Sequence, residues 1–176
     1  LMDEVRQRIE SDGSGWRGTP AGGHALAFHS HDHGDDPGQL GACRRVDYRL
    51  KGYRPPQSRL TPEVGDDQLC WYNFEWLASS ASSLGFATPR LGNRVVKIPV
   101  HADDFPLHTG QRRYEDWRQW VLQAIQEHDF VAVGLHDCYA SHWLPHYAAL
   151  LQDLQAAASL RTMDEVADDV FLAAGA

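Results

Sequence analysis

The sequence has few cysteines and no long apolar run. Only three of its 176 residues are cysteines, Cys43, Cys70 and Cys138, and none belongs to a Cys-x-x-Cys pair. This spacing argues against a disulfide framework and a thiolate zinc site, and it favours a reducing compartment. No apolar stretch approaches the roughly 20 residues that span a bilayer, and residues 1–20 lack a signal peptide's charged-then-apolar order. The sequence therefore predicts a cytoplasmic protein with no membrane span.

Positive charge is also scarce. The chain has 16 Lys and Arg residues against 24 Asp and Glu residues, which gives a formal net charge of −8. No basic stripe with interleaved aromatic residues is present, so nucleic acid is excluded as an expected partner. The length predicts one domain over residues 1–176 with a substantial core, and it leaves the oligomeric state open.

Histidine, in contrast, is concentrated in residues 24–37, HALAFHSHDHGDDP. The apolar residues 25–28 predict the end of a buried strand, which places His29, His31 and His33 in a turn. Imidazoles beside carboxylates suit Zn²⁺ or a similar divalent ion. In an extended segment the three rings would share one face, whereas a bend after His29 would bring His29 and His33 together and turn His31 away. The competing interpretation is a polar loop of solvated histidines.

Hydrophobic spacing along the chain predicts alternating strands and helices. Their order favours an α/β structure with a parallel sheet, either open or closed into a barrel. We expect strands at 25–28, just before Arg54, at 77–84, 94–100 and 130–135, and helices at 1–10, 39–51, 67–76, 114–127, 145–157 and from a capping box at 162–165 onward. The glycine-rich residues 12–23 are expected to form a loop.

Polar residues follow several of these predicted strands. In parallel sheets, ligands gather at the carboxyl ends of the strands, so these side chains are expected to meet. They are His29, Arg54, Asp103, Asp104 and His136.

The same motifs resemble the polysaccharide deacetylase superfamily, also called NodB-like or carbohydrate esterase family 4-like. Residues 29–33, HSHDH, match its His-Ser/Thr-x-x-His element, residues 54–56, RPP, match its Arg-x-Pro element, and Leu135-His136 matches its Leu-His element. The three occur in the family's order, and the ending RTMDEVADDVF also resembles the family's closing segment. The segments FHSHDH, YRPPQSR and LHDCYA are most similar to the WbmS-like branch, which is linked to surface-polysaccharide gene clusters.

The resemblance implies a distorted NodB-like (β/α) barrel and metal-dependent removal of acetyl or similar acyl groups from a carbohydrate. It implies that His29 and His33 bind a divalent metal, first Zn²⁺, with Co²⁺, Ni²⁺ and Mn²⁺ as alternatives. Arg54 would steady the catalytic base, and His136 would be the general acid.

Further roles complete the expected site. Asp103 or Asp104 would correspond to the acidic residue that positions His136 or Arg54. Leu135 and Trp143 are expected near the substrate, where Trp143 could stack on a sugar ring. The competing interpretation is that Trp143 packs at the start of the following helix.

The chain departs from the family at one motif. The family's first strand ends in Asp-Asp, which supplies the base and a third metal ligand, and residues 1–28 contain no counterpart. Asp3 begins a predicted helix, and Asp12 lies in a predicted loop. The resemblance therefore implies a domain that is incomplete at its N-terminal side and lacks its first strand or strands.

Two other functions compete with the deacetylase. A PHP-like metallo-phosphoesterase would use His29-x-His31 as its signature and needs more histidine and acidic ligands after other strands. A degenerate deacetylase-like domain would bind glycan without catalysis. Metal binding and acetate release distinguish the three.

Overall fold

The structure is a computed structural model, and it describes residues 27–30, 33–34, 36–46 and 48–175. The predicted helix at 1–10, the predicted loop at 12–23 and two residues of the histidine motif, His31 and Asp32, lie outside the described residues.

The larger sheet has five strands in the order β1-β2-β3-β5-β4. All neighbours are parallel except β4, which runs antiparallel to β5. The strands are β1 (Ala27–Phe28), β2 (Gly52–Tyr53), β3 (Trp76–Ser80), β4 (Arg90–Leu91) and β5 (Val96–Val100). The predicted α/β class with a parallel-rich sheet is confirmed.

A smaller sheet continues from the larger one. Its two parallel strands are β6 (Ala102–Asp103) and β7 (Val133–Gly134). His101 alone separates β5 from β6, and its backbone N–H donates to the Ala132 carbonyl at 2.9 Å. The described strands form these two open sheets and no closed barrel.

Helices connect and cover the strands. They are α1 (Gly38–Val46), α2 (Asp66–Trp71), α3 (Ala81–Leu84), α4 (Phe105–His108), α5 (Tyr114–Glu127), α6 (Tyr147–Ala157) and α7 (Met163–Ala174), with 3₁₀ turns at Pro56–Ser58, Pro62–Val64, Asp137–His142 and Leu144–His146. The predicted helix 114–127 is confirmed at both ends. The predicted capping box is also confirmed, because the Thr162 side chain accepts the Glu165 N–H while the Glu165 carboxylate accepts the Thr162 N–H.

Two predicted elements after residue 66 are wrong in extent. The predicted helix 67–76 ends at Trp71, and Trp76 instead begins β3. Asn73 has a left-handed backbone (φ 56°), which stops the helix. Trp76 is in the sheet because β3 pairs with β5, where Trp76 lies opposite Val96. The predicted strand 77–84 stops at Ser80, because the Ser80 hydroxyl accepts the Ser83 N–H and begins α3.

Other predicted elements are shorter than expected. The predicted helix 39–51 ends at Val46. The predicted strand 130–135 is paired only at Val133–Gly134, because its partner β6 has only two residues. The last long helix before the capping box begins at Tyr147, after a 3₁₀ turn that holds Pro145.

The core consists of three hydrophobic clusters. Along β3, Leu77 packs in the cluster shared with α1 and α2, whereas Trp76 and Ala78 pack with β5 and α7 on the opposite face. This alternation follows from the two-residue period of a strand. The third cluster joins β6 to α5 and α6 around the fully buried Trp117. Core residues therefore cover both faces of β3.

Within the described part of the chain, no helix is both long enough and apolar enough to cross a bilayer.

Candidate active site

The side chains that follow β1, β2, β6 and β7 meet at one edge of the two sheets. The His29 ring donates its Nδ1–H to the Arg54 backbone carbonyl at 2.7 Å. The Arg54 guanidinium extends toward Gly134 of β7. A β-carbon built on Gly134 would lie 3.7 Å from Arg54 Nη2 and 3.6 Å from the β-carbon of Asp103, so both side chains lie close to this glycine. Arg54 therefore links the larger sheet to the smaller one.

The histidine loop is bent rather than extended. The rings of His29 and His33 lie 5.1 Å apart, edge to face at 85°. Ser30 (φ 75°) and His33 (φ 62°) both have left-handed backbones, a conformation that costs non-glycine residues about 1 kcal/mol or more each. This is the bent arrangement considered from the sequence, in which the first and last histidines of the motif converge.

The surroundings of His29 favour its neutral form. Burial lowers the pKa of His29 below its ordinary value of 6.5. The electrostatic effects of the neighbouring His33, Arg54 and His136 side chains lower it further, and the hydrogen bond to the Arg54 carbonyl opposes them. Because the ring donates its Nδ1–H to the carbonyl, the Nε2 lone pair remains the ring's acceptor. A neutral imidazole with its second nitrogen anchored on a carbonyl is the form that binds metals.

The donor set fits a divalent metal only in part. His29 and His33 provide two imidazoles, which suit Zn²⁺ and similar ions. Among the residues the structure describes, no group of three or more His, Cys, Asp or Glu side chains converges to hold an ion. Further ligands would have to come from residues outside the described ones, such as His31, Asp32 or Asp35.

Asp104 is the acidic partner of His136. Its carboxylate is fully buried, and its Oδ1 accepts the Nδ1–H of the His136 ring at 2.5 Å. Its Oδ2 accepts the His136 backbone N–H at 2.8 Å. These two bonds fix the ring and leave Nε2 as the nitrogen that can exchange a proton with a ligand. Of the two carboxylates that the sequence left open, Asp104 is the one that contacts His136.

Asp103 faces Arg54 instead. Burial lowers the pKa of the Arg54 guanidinium, and the negative charge of Asp103 opposes that shift. Asp103 also accepts two hydrogen bonds that fix its position, from the Phe105 N–H to Oδ1 at 3.1 Å and from the Trp117 indole N–H to its carbonyl at 2.7 Å. The adjacent carboxylates therefore have different partners.

Trp143 and Leu135 lie next to His136 but are largely engaged in packing. The Trp143 indole N–H donates to the His136 carbonyl at 3.3 Å, and its ring contacts Tyr147 at 5.4 Å between centroids. Both residues are partly buried against the third core cluster. These contacts favour the packing interpretation of Trp143, and its stacking on a sugar stays a prediction.

Sequence analysis missed the rings around His136. Tyr139 lies 5.3 Å from the His136 ring, and His108 stacks on Tyr139 at 4.1 Å with an interplanar angle of 13°. Neither residue stands at the end of a strand or in a periodic helix. The only sequence signal was the recurrence of histidine in residues 136–146.

Comparisons with known proteins assign no family. No family model and no curated protein matches the chain. Among solved structures, the chain is similar to the 4-alpha-glucanotransferase of Thermococcus litoralis, with 14% sequence identity and a TM-score of 0.46 over 74% of this chain. The chain spans 22% of the length of that structure.

Proposed function

We propose that this chain is the metal-dependent hydrolase domain of a protein that removes acetyl or similar acyl groups from a carbohydrate. The proposed fold is a distorted NodB-like barrel, and the proposed setting is surface-polysaccharide metabolism. The observation that supports the proposal is the hydrogen bond between His136 and the buried Asp104, at the same sheet edge as His29 and Arg54.

His136 is the proposed general acid. The His136 ring donates its Nδ1–H to Asp104, so Nε2 is the nitrogen that donates a proton to the leaving amine or hydroxyl. General acid catalysis of this kind contributes about 10² to 10⁴ in rate.

His29 and His33 are the proposed metal ligands. A divalent ion bound there would polarise the acyl carbonyl and lower the pKa of bound water. The His29 hydrogen bond to the Arg54 carbonyl orients the ring, so Arg54 supports this side of the site through its backbone while its guanidinium lies toward Asp103.

The catalytic base is the part of the mechanism without an assigned residue. Residues 1–28 contain no counterpart of the Asp-Asp motif that supplies the base in the deacetylase superfamily. Metal binding and acetate release therefore need separate tests.

The first test is calorimetric titration of the chain with zinc and with cobalt at about pH 7.5, where neutral histidines are available. We expect micromolar binding that is abolished in the double variant His29→Ala, His33→Ala. His128→Ala is the matched control, because His128 is exposed at the end of α5, before β7 begins. Unchanged metal binding in the double variant would show that His29 and His33 are not the metal ligands.

The second test measures acetate released from N-acetylated and O-acetylated oligosaccharides by the metal-loaded chain. We expect His136→Ala to lower kcat by about 10² to 10⁴ and His128→Ala to leave it unchanged. A chain that binds metal at His29 and His33 but releases acetate from none of these substrates would contradict the hydrolase and favour a glycan-binding domain.

A further inference from the structure

A strip of aromatic and imidazole rings leads outward from His136. Tyr139 contacts the His136 ring, and His108 stacks on Tyr139. Phe105 lies 6.2 Å from both Tyr139 and His108, and His142 lies 5.9 Å from His108, all between ring centroids. We call the four residues beyond His136, namely Phe105, His108, Tyr139 and His142, the ring strip.

The ring strip is aromatic and mostly exposed. Phe105 leaves 47% of its surface accessible, and His108 and His142 are also exposed, whereas Tyr139 is half-buried beside the site. Phe105 directly follows the buried Asp104, and its N–H is fixed on the Asp103 carboxylate. The backbone therefore holds an exposed phenyl ring at a defined place next to the reacting groups.

We infer that the ring strip is a subsite that binds one pyranose ring of the substrate glycan. This ring is the neighbour of the acylated sugar unit that reaches His136. This inference deepens the proposed function and rests on it for the identity of the ligand. The C–H groups on one face of a pyranose pack on aromatic rings, and its hydroxyls hydrogen-bond to groups at the ring edges.

The chemistry of the strip favours a sugar chain over other ligands. Two imidazoles and one phenol among the four rings provide donors and acceptors at the edges of an apolar surface, a mixture that suits a polyhydroxylated ring. Burial and the nearby Asp104 and Asp103 carboxylates raise the pKa of the Tyr139 phenol, so its hydroxyl stays protonated. The same carboxylates and the net charge of −8 disfavour a polyanion.

Continuity with the site determines where the sugar would lie. The strip begins at Tyr139 against His136, and it is carried by α4 and the 3₁₀ turn at Asp137–His142, which pack on each other. A glycan whose acylated residue reaches His136 must continue across one side of the site, and the strip offers an exposed surface there. Longer glycans should therefore bind more tightly than a single sugar.

The test compares binding of N-acetylglucosamine with binding of its β-1,4-linked tetramer, by calorimetry and by NMR shifts of the aromatic side chains. We expect the wild-type chain to bind the tetramer about tenfold more tightly than the monomer. Phe105→Ala should remove most of this gain and leave monomer binding unchanged, and Phe105→Trp should restore it. Trp71→Ala is the matched control, because Trp71 is 79% exposed and precedes the amino end of β3.

Each outcome decides the inference. Equal affinity for monomer and tetramer, no binding of either, or a length effect that survives Phe105→Ala would overturn it. A change of oligomeric state in Phe105→Ala with unchanged tetramer affinity would also overturn it and would indicate a protein interface. A length effect lost in Phe105→Ala without acetate release by any variant would support the subsite while contradicting the hydrolase, so the two proposals can fail separately.

Discussion

Asp104 accepts two hydrogen bonds from the same residue, one from the ring of His136 and one from its backbone N–H. The carboxylate is fully buried, so both of its acceptor oxygens are shielded from water. The pair therefore fixes both the position and the tautomer of the imidazole.

Asp104→Asn should reverse that tautomer. An amide can present its N–H to Nδ1, so the His136 proton would move to Nε2, the nitrogen proposed to act on the substrate. We expect ¹⁵N NMR to show a protonated Nδ1 in the wild type and a protonated Nε2 in the variant, together with a loss of about 1–2 kcal/mol of unfolding free energy. Asp137→Asn, at the exposed neighbouring position, should change stability by less than about 0.5 kcal/mol.

The lowered pKa of His29 predicts a pH dependence of stability. Below the ordinary pKa of 6.5, the unfolded chain binds a proton at His29 that the folded chain still rejects because of burial. The contribution of His29 to stability is therefore complete above about pH 6.5 and decreases as the pH falls from there toward the lowered pKa of the folded state. Denaturant unfolding at a series of pH values should show a smaller decrease in His29→Asn than in the wild type. An NMR titration that gives His29 an ordinary or raised pKa would contradict this.

Gly52→Ala should strongly destabilise the larger sheet. A β-carbon at residue 52 would overlap the indole of Trp76, which is buried beside it on the neighbouring strand. Both strands lie inside the sheet and cannot move apart freely, so we expect a loss of about 1–3 kcal/mol in chemical denaturation. Gly65→Ala is the control, since its β-carbon would meet nothing closer than 3.5 Å and should cost less than about 1 kcal/mol.

Trp117→Phe should lower the unfolding free energy, because it removes a hydrogen bond to Asp103. The indole N–H donates to the Asp103 carbonyl, and phenylalanine keeps most of the buried ring but loses this donor. We expect a loss of about 1–3 kcal/mol in thermal or chemical unfolding, because the carbonyl would lose its buried partner and a small void would form. Trp120→Phe, on the same helix but only partly buried, should cost less. Equal losses in both variants would mean that the hydrogen bond contributes nothing.

The positions of the site residues were largely predictable, because an apolar run followed by a polar residue indicates the end of a buried strand. His29, Arg54 and His136 all follow strands that the structure contains. The choice between Asp103 and Asp104 was not predictable, since it depends on how β6 places each residue relative to β7 and Arg54. Their roles in metal binding and catalysis stay predictions.

The main errors arose where tertiary contacts override local spacing. Leu69, Tyr72 and Trp76 have helical spacing, but pairing with β5 places Trp76 in a strand. The sequence did not indicate that the members of the ring strip lie together, because they come from two short segments about thirty residues apart, which meet only in the folded chain.

The single residue between β5 and β6 has a consequence for how the site forms. His29 and Arg54 follow strands of the larger sheet, and Asp104 and His136 follow strands of the smaller one. Because His101 connects β5 directly to β6 and also binds the backbone just before β7, the smaller sheet cannot fray without disturbing the end of β5. The two halves of the site therefore belong to one cooperative folding unit, and they assemble or come apart together.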